Sequence, residues 1–179
     1  VKSQTASWRQ MAIEAARKIV ELVTEEARPL DVIRYENFEN AVRYMMATGG
    51  STNSILHIPA MARQAGIDIT PELFDRISRE VPVISTIYPN HPTYTMVDFS
   101  NAGGLGAVLA ELAEEGLINT DARGMFGTIA DKIALSQNLN RDVIRPVSEP
   151  IYEQGGLAVL SGNIATESAI VKFSAVERE

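Results

Sequence analysis

Ala47-Thr48-Gly49-Gly50-Ser51-Thr52-Asn53-Ser54-Ile55-Leu56-His57 is the stretch on which the reading of this chain turns. Two adjacent glycines stop one apolar-periodic segment, and a Ser-Thr-Asn triplet opens another. Upstream, Phe38, Ala41, Val42, Met45 and Met46 recur at spacings of three and four, which predicts an amphipathic helix over Tyr35 to Met46. Downstream, Ser51, Thr52 and Asn53 offer capping side chains for a helix reaching about Ala65, with Gly66 as its C-cap and Pro59 kinking it.

Working outward, Trp8, Met11, Ala12, Ala15, Ile19, Leu22 and Val23 predict a first helix over residues 8–27, ended by Pro29. Thr70-Pro71-Glu72 combines an N-cap, a proline at the first helical position and an acid in the first turn, so a further helix should run to about Arg79. Val81 to Ile87 is β-branched and bounded by prolines, which predicts a strand. Helices are expected over residues 98–116, entered through Ser100-Asn101-Ala102-Gly103-Gly104, and over Thr128 to Ser136. From Val143 short apolar runs alternate with Gly, Pro and Ser: Val143-Ile144, Leu157 to Leu160, Ala169 to Val171. The fold class is therefore α/β: a mainly helical segment over 1–150, then the first strands of a β-rich domain over 151–179, with the boundary near 147–155.

Composition narrows the function. With 45% apolar residues in 179, the chain can bury a core. Sixteen basic against 23 acidic residues leave a net charge of -7 without a basic cluster, which argues against nucleic acid and anionic membrane as partners. No apolar run approaches a membrane span and the N-terminus lacks a signal-peptide pattern, so a cytoplasmic location is expected. The absence of cysteine removes disulfides and thiolate metal sites, and the two histidines, His57 and His91, lie in segments of different character, so no metal ligands are assigned. The chain starts at Val1 and stops at Glu179 in a charged run, so both ends are expected to be cuts in a longer protein.

Gly49 to Asn53 is the strongest candidate for chemistry. Two glycines before a helix can leave backbone N–H groups open to an anion, with Ser51, Thr52 and Asn53 adding donors. A glycine turn with an ordinary N-cap accounts for the same residues. Asn101 to Gly104 has the same form, and there close helix packing is the competing explanation. His57, one turn after Asn53, could donate a proton or orient a ligand, although its neighbours Ile55, Leu56 and Ile58 equally suit a core histidine. His91 reads as a solvent-exposed loop residue, and Asp98 and Asp121 could act as bases or ion ligands, although single acids near helix ends are usually caps or solvated surface.

The segment from Ala47 to His57 closely resembles the middle of the dihydroxy-acid, phosphogluconate and sugar-acid dehydratases. Phe74 to Pro82, Tyr94 to Phe99 with Ala102 to Leu105, Asp142 to Pro146, and Gly155 to Leu160 with Gly162 to Ala165 and Ala169 to Lys172 follow in the family's order. The likeness runs from about Arg9 to about Val176. It implies removal of water from a 2,3-dihydroxy acid to give a 2-keto acid, with an iron–sulfur cluster acting on the C3 hydroxyl, a divalent cation such as Mg at the carboxylate, and a serine of the C-terminal domain taking the C2 proton. Those groups lie in parts of the family outside this chain. What carries over is Gly49, Gly50, Ser51, Thr52, Asn53 and His57 as residues lining or supporting a hydroxy-acid site, and Leu157 onward as the opening of a C-terminal β-barrel.

The resemblance also implies a small-molecule substrate and a homo-oligomeric full-length protein. Asn37 to Arg43 and Asp142 to Pro146 look more like the sugar-acid branch. Asn90 to Tyr94 and Gly124 to Thr128 stand where many relatives have loops containing a lysine, so substrate or activity is expected to differ there. The competing expectations are a non-catalytic binding module, or a structural subunit that assembles with other chains. The chain alone is expected to be sticky or oligomeric because a sheet opening leaves edges unpaired.

Overall fold

The computed structural model describes residues 6–173 and 176. Helix α1 (Ala6–Thr24) carries the expected apolar stripe, but only Leu22 of it is buried; Trp8, Met11, Ile19 and Val23 face outward. The periodicity marks the helix, and most of its apolar stripe lies exposed. Pro29 does not end α1. It sits at the first position of a separate one-turn helix, α2 (Pro29–Val32), where a missing N–H costs nothing.

The core is built on α3 (Tyr35–Ala47), α4 (Ser54–Gln64) and α5 (Pro71–Glu80). Helix α3 buries Phe38, Val42, Met45, Met46 and Ala47, and α5 buries Leu73, Phe74 and Ile77. Asn40 is buried on α3 because its side chain pairs reciprocally with the backbone of Asn119, donating to the carbonyl at 2.8 Å and accepting from the N–H at 2.9 Å. Pro59 is accommodated inside α4, which continues to Gln64.

Charge knits α3 to α5. Arg43 bridges Glu39 (3.2 Å) and Glu80 (2.7 Å), and Arg76 bridges the same two acids at 2.9 and 3.0 Å. Partial burial pushes the Glu39 carboxyl up, but the hydrogen bonds from Arg76 and Arg43, and their charges, outweigh it and hold the group below its ordinary value. A carboxyl depressed by folding stabilises the fold above its unfolded pKa and stops doing so as pH falls through the folded one. Acid unfolding is thus expected below about pH 4, the ordinary glutamate range. Glu39→Gln should flatten that part of a stability-versus-pH curve followed by circular dichroism; an unchanged curve would place the acid sensitivity elsewhere.

Residues 81–87 do not form a laddered strand. They run extended and buried from Val81 to Thr86, but their hydrogen bonds go to three different places. Ile84 and Ser85 donate to the Ala47 carbonyl, Val83 exchanges bonds with Ile151 and Tyr152, and Ile84 accepts from Arg145. The β-branched composition signals burial and extension, while the partners decide against a sheet.

The helix expected over 98–116 is two helices, α6 (Met96–Asn101) and α7 (Gly104–Glu114). Gly103 and Gly104 separate them at φ 113° and 56°. A Cβ on Gly103 would lie 2.3 Å from the Gln137 carbonyl oxygen, and one on Gly106 would meet Ser136. This glycine pair serves the close approach of the 136–139 segment, whose Leu139 N–H bonds the Ala102 carbonyl. Two short strands, β1 (Arg123–Gly124) and β2 (Gly127–Thr128), pair before α8 (Ile129–Ala134), which Thr128 and Asp131 cap reciprocally. Val143-Ile144 is a buried turn rather than a strand.

The chain ends on a two-stranded antiparallel hairpin, β3 (Leu157–Leu160) and β4 (Ala169–Lys172), with Leu157 opposite Lys172. It is anchored through its leading glycines. Gly155 donates to the Ser78 carbonyl (2.7 Å), Gly156 donates to that of Met46 (3.2 Å), and Phe173 donates back to Gly156 (3.0 Å). The result is a mainly helical α/β fold with a few short antiparallel strands and, among the described residues, no closed barrel.

Candidate functional site

The glycine corner closes α3 before it opens α4. Gly49 has φ 61°, its N–H reaches the Met46 carbonyl at 3.4 Å, and the Gly50 N–H bonds that of Met45 at 2.9 Å. The glycine N–H groups are thus engaged in ending a helix. Among the described residues, the corner's backbone donors without a partner are the N–H groups of Ser51 and Thr52, while the Ser51 hydroxyl accepts from the Asn53 N–H at 3.2 Å.

A cavity of about 370 Å³ opens beside this corner. Thr48, Gly49, Gly50 and Ser51 form one wall, Ser85 to Asn90 another, and Lys172 of β4 reaches it from the terminal hairpin. The 81–87 segment is held at the corner by the Ala47 carbonyl, and β4 by Gly156 against Gly49, so three distant pieces of sequence converge there. Among the described residues, no aspartate or glutamate lines the cavity. The Thr48 hydroxyl donates to the Tyr44 carbonyl and the Ser85 hydroxyl to that of Val143, so both already serve the fold. Burial pushes the Tyr44 phenol up and the Lys172 ammonium down from their ordinary values.

Thr52, Asn53 and His57 do not line this cavity; they are exposed at and after the start of α4. His91 is not the solvated loop residue expected. It is half-buried, its Nδ1 accepts from the N–H groups of Thr93 (3.1 Å) and Tyr94 (3.0 Å), and its ring stacks on Tyr94 at 4.4 Å. It organises the 90–94 loop, of which only Asn90 borders the cavity. Asp98 caps α6 by accepting from the Thr95 N–H and hydroxyl, bonds that hold its carboxyl below the ordinary value.

A larger hollow, about 420 Å³, lies between α2 and β1. Acids and arginines of both signs line it, and the Arg34 guanidinium already caps α2 through the carbonyls of Leu30, Asp31 and Ile33. Its charges of both signs set it apart from the glycine-corner cavity, where Lys172 is the one charged lining side chain among the described residues. Lys172 escaped attention in the sequence because a lysine ending an apolar run carries no motif; only the register of the hairpin brings it to Gly49.

The residues present do not suit a resident iron–sulfur cluster or divalent cation. The chain has no cysteine, and among the described residues no group of three or more His, Asp or Glu could hold a metal. No described helix is long and apolar enough to cross a membrane.

Two family models match the chain. The N-terminal model of the dihydroxy-acid/6-phosphogluconate dehydratases covers residues 1–133, and the C-terminal model covers residues 142–179. Among curated proteins, the chain is 45% identical over 163 residues to the dihydroxy-acid dehydratase of Ignicoccus hospitalis, which covers 90% of this chain and 29% of that protein. It is 44% identical over 172 residues to the enzyme of that name from Clostridium novyi (96% and 31%), and 42% identical over 172 residues to that of Prochlorococcus marinus strain NATL2A (94% and 31%). The chain thus spans about three-tenths of the length of these relatives.

Proposed function

Because this chain belongs to the dihydroxy-acid/6-phosphogluconate dehydratase family, we propose that it is the portion of a hydro-lyase that walls and positions a 2,3-dihydroxy acid. The observation that carries this reading is the cavity at Gly49, Gly50 and Ser51, which among the described residues is lined by no acid and has one basic side chain at its edge. Loss of the C2 proton and the C3 hydroxyl from such a substrate gives an enol that tautomerises to a 2-keto acid. Both leaving steps develop charge, so rigid placement of the substrate is a large part of what a protein must supply. Here the corner, fixed by α3, the 81–87 segment and the hairpin, provides the rigid wall. Thr52, Asn53 and His57 present a polar first turn of α4 toward the remainder of the longer protein and complete the substrate contacts there. An iron–sulfur cluster and a divalent cation such as Mg are held by residues outside this chain.

The domain boundary falls at about residue 150, so the cavity takes walls from the N-terminal segment and from the first strands of the C-terminal one. A short dihydroxy acid is the primary substrate class, in keeping with the relatives' name. A sugar acid is the second reading, carried by the branch-like segments Asn37 to Arg43 and Asp142 to Pro146. The full-length protein works in the cytoplasm as a homo-oligomer, and the exposed apolar stripe of α1 suits packing against protein.

The test is the full-length protein, assayed for 2-keto acid release from 2,3-dihydroxy-3-methylbutanoate and from a sugar acid such as arabinonate. Turnover of either is the expected result, and the faster of the two assigns the branch. Ser51→Ala in that protein should lower kcat/KM about tenfold, the loss of one substrate hydrogen bond of about 1.4 kcal/mol. A full-length protein that dehydrates neither acid would instead be a binding or structural relative.

A further inference from the structure

Among the described residues, Lys172 differs from the other half-buried cations, Lys18 and Arg43, which are both paired with acids. Arg28, Arg43, Arg76, Arg79 and Lys18 each make an ion pair with an acid. Lys172 is half-buried and, among the described residues, makes neither an ion pair nor a hydrogen bond. It stands opposite Leu157 in the hairpin, and the Phe173 N–H next to it bonds the Gly156 carbonyl. Gly156 in turn abuts Gly49 so closely that a Cβ would lie 2.4 Å from the Gly49 Cα. The ammonium is therefore delivered to the corner by backbone contacts, and among the described residues the lining holds no acid for it to meet.

We propose that the Lys172 ammonium binds an oxyanion of the ligand, and that neutral polar groups of Ser51, Thr86 and Asn90 take the ligand's hydroxyls. This rests on the reading of the cavity as the dihydroxy-acid site and names one basic side chain of that site. Keeping a partly desolvated charge without a partner is unfavourable, and the free protein tolerates it where a ligand completes the pair. Burial lowering the ammonium pKa agrees in direction. Thr86 and Asn90 make no side-chain hydrogen bond among the described residues, whereas Thr48 and Ser85 are already engaged with backbone carbonyls. A cation beside free neutral donors and acceptors, with no carboxylate, suits an anion that carries hydroxyl groups.

The oxyanion is a carboxylate or a phosphate, and two probes separate them. D-glycerate offers a carboxylate beside two hydroxyls, and glycerol 3-phosphate offers a phosphate without a carboxylate. Each is titrated into the 15N-labelled 179-residue chain, with the amides of Ser51 and Thr52 as reporters. The expected result is saturable shifts with one of the probes, weakened about tenfold or more in Lys172→Met, the loss of one charge-assisted contact. Lys172→Arg should bind within a few-fold of the parent chain. Lys172→Met keeps the apolar stem, so its melting temperature should match or exceed the parent's, which separates a binding role from a packing one.

Absence of shifts with both probes would overturn the proposal. So would equal affinity in Lys172→Met, or a lowered melting temperature that Lys172→Arg restores without any probe. The two readings fail separately. Oxyanion binding through Lys172 in a protein that releases no keto acid would leave the ammonium site standing and remove the dehydratase assignment; keto acid release with unaltered KM in Lys172→Met would do the reverse.

Discussion

Gly156→Ala is expected to unseat the terminal hairpin and destabilise the chain by about 3 kcal/mol or more, at the upper end of overpacking penalties. The reason is that both sides of the contact are backbone. A Cβ at this position would lie 2.4 Å from the Gly49 Cα and 3.1 Å from its carbonyl carbon, and neither can rotate away. Relief requires the hairpin to move off α3, which breaks the Gly156 to Met46 and Gly155 to Ser78 hydrogen bonds and carries Lys172 away from the cavity. Urea unfolding should show the loss, and probe binding at Ser51 should vanish before the fold does. Gly162→Ala is the control: nothing lies within 4 Å of its added methyl, so its stability should stay within about 0.5 kcal/mol of the parent. A Gly156→Ala chain as stable as the control would mean that the hairpin is not held by this contact.

Much of the helical frame was legible from spacing. The stripe of α3 and the Thr-Pro-Glu start of α5 each mark a local event, and local rules decide it: α3 spans Tyr35–Ala47 and α5 starts at Pro71. What escaped was whatever depends on a distant partner. Residues 81–87 have strand composition, but hydrogen bonds to Ala47, Arg145, Ile151 and Tyr152 leave no room for a ladder. Gly103-Gly104 and Gly49-Gly50 read alike as strings, and only the Gln137 carbonyl beside Gly103 shows that the first pair is there for packing. The α1 stripe has the periodicity of a core helix and lies exposed, since periodicity names a face without naming what covers it.

The candidate site was legible to the same degree. Gly49, Gly50 and Ser51 lie on the cavity, although through a helix stop that engages the glycine N–H groups rather than freeing them. Thr52, Asn53 and His57 lie outside it on the exposed side of the corner. Lys172 lies at the end of the family-like segment Ala169 to Lys172 but carries no motif of its own. Its place depends on strand register and on the Gly156 contact, and neither leaves a mark within a window of residues around the lysine.

Phe74→Ala is expected to produce the largest loss of stability, about 3–5 kcal/mol, the range for truncating a buried phenylalanine. Phe74 is fully buried on α5, the helix that packs on α3 at one side and on β3 at the other. The change would therefore remove a large share of the 5–15 kcal/mol that holds an ordinary domain together. Phe74→Leu, which keeps most of the volume, should lose about 1.5 kcal/mol or less. The way the chain comes apart tests the boundary proposed at residue 150. Two strands of four residues are too short to stand alone, so amide exchange at Leu157 to Leu160 and Ala169 to Lys172 should accelerate together with exchange at Val42 to Ala47. Exchange in the hairpin that ignores Phe74→Ala would show that residues 151–179 fold on their own terms. Coupled exchange would mean that, whatever family boundary runs between them, α5 makes the corner and the lysine one cooperative unit, and that the cavity exists only while both halves are folded.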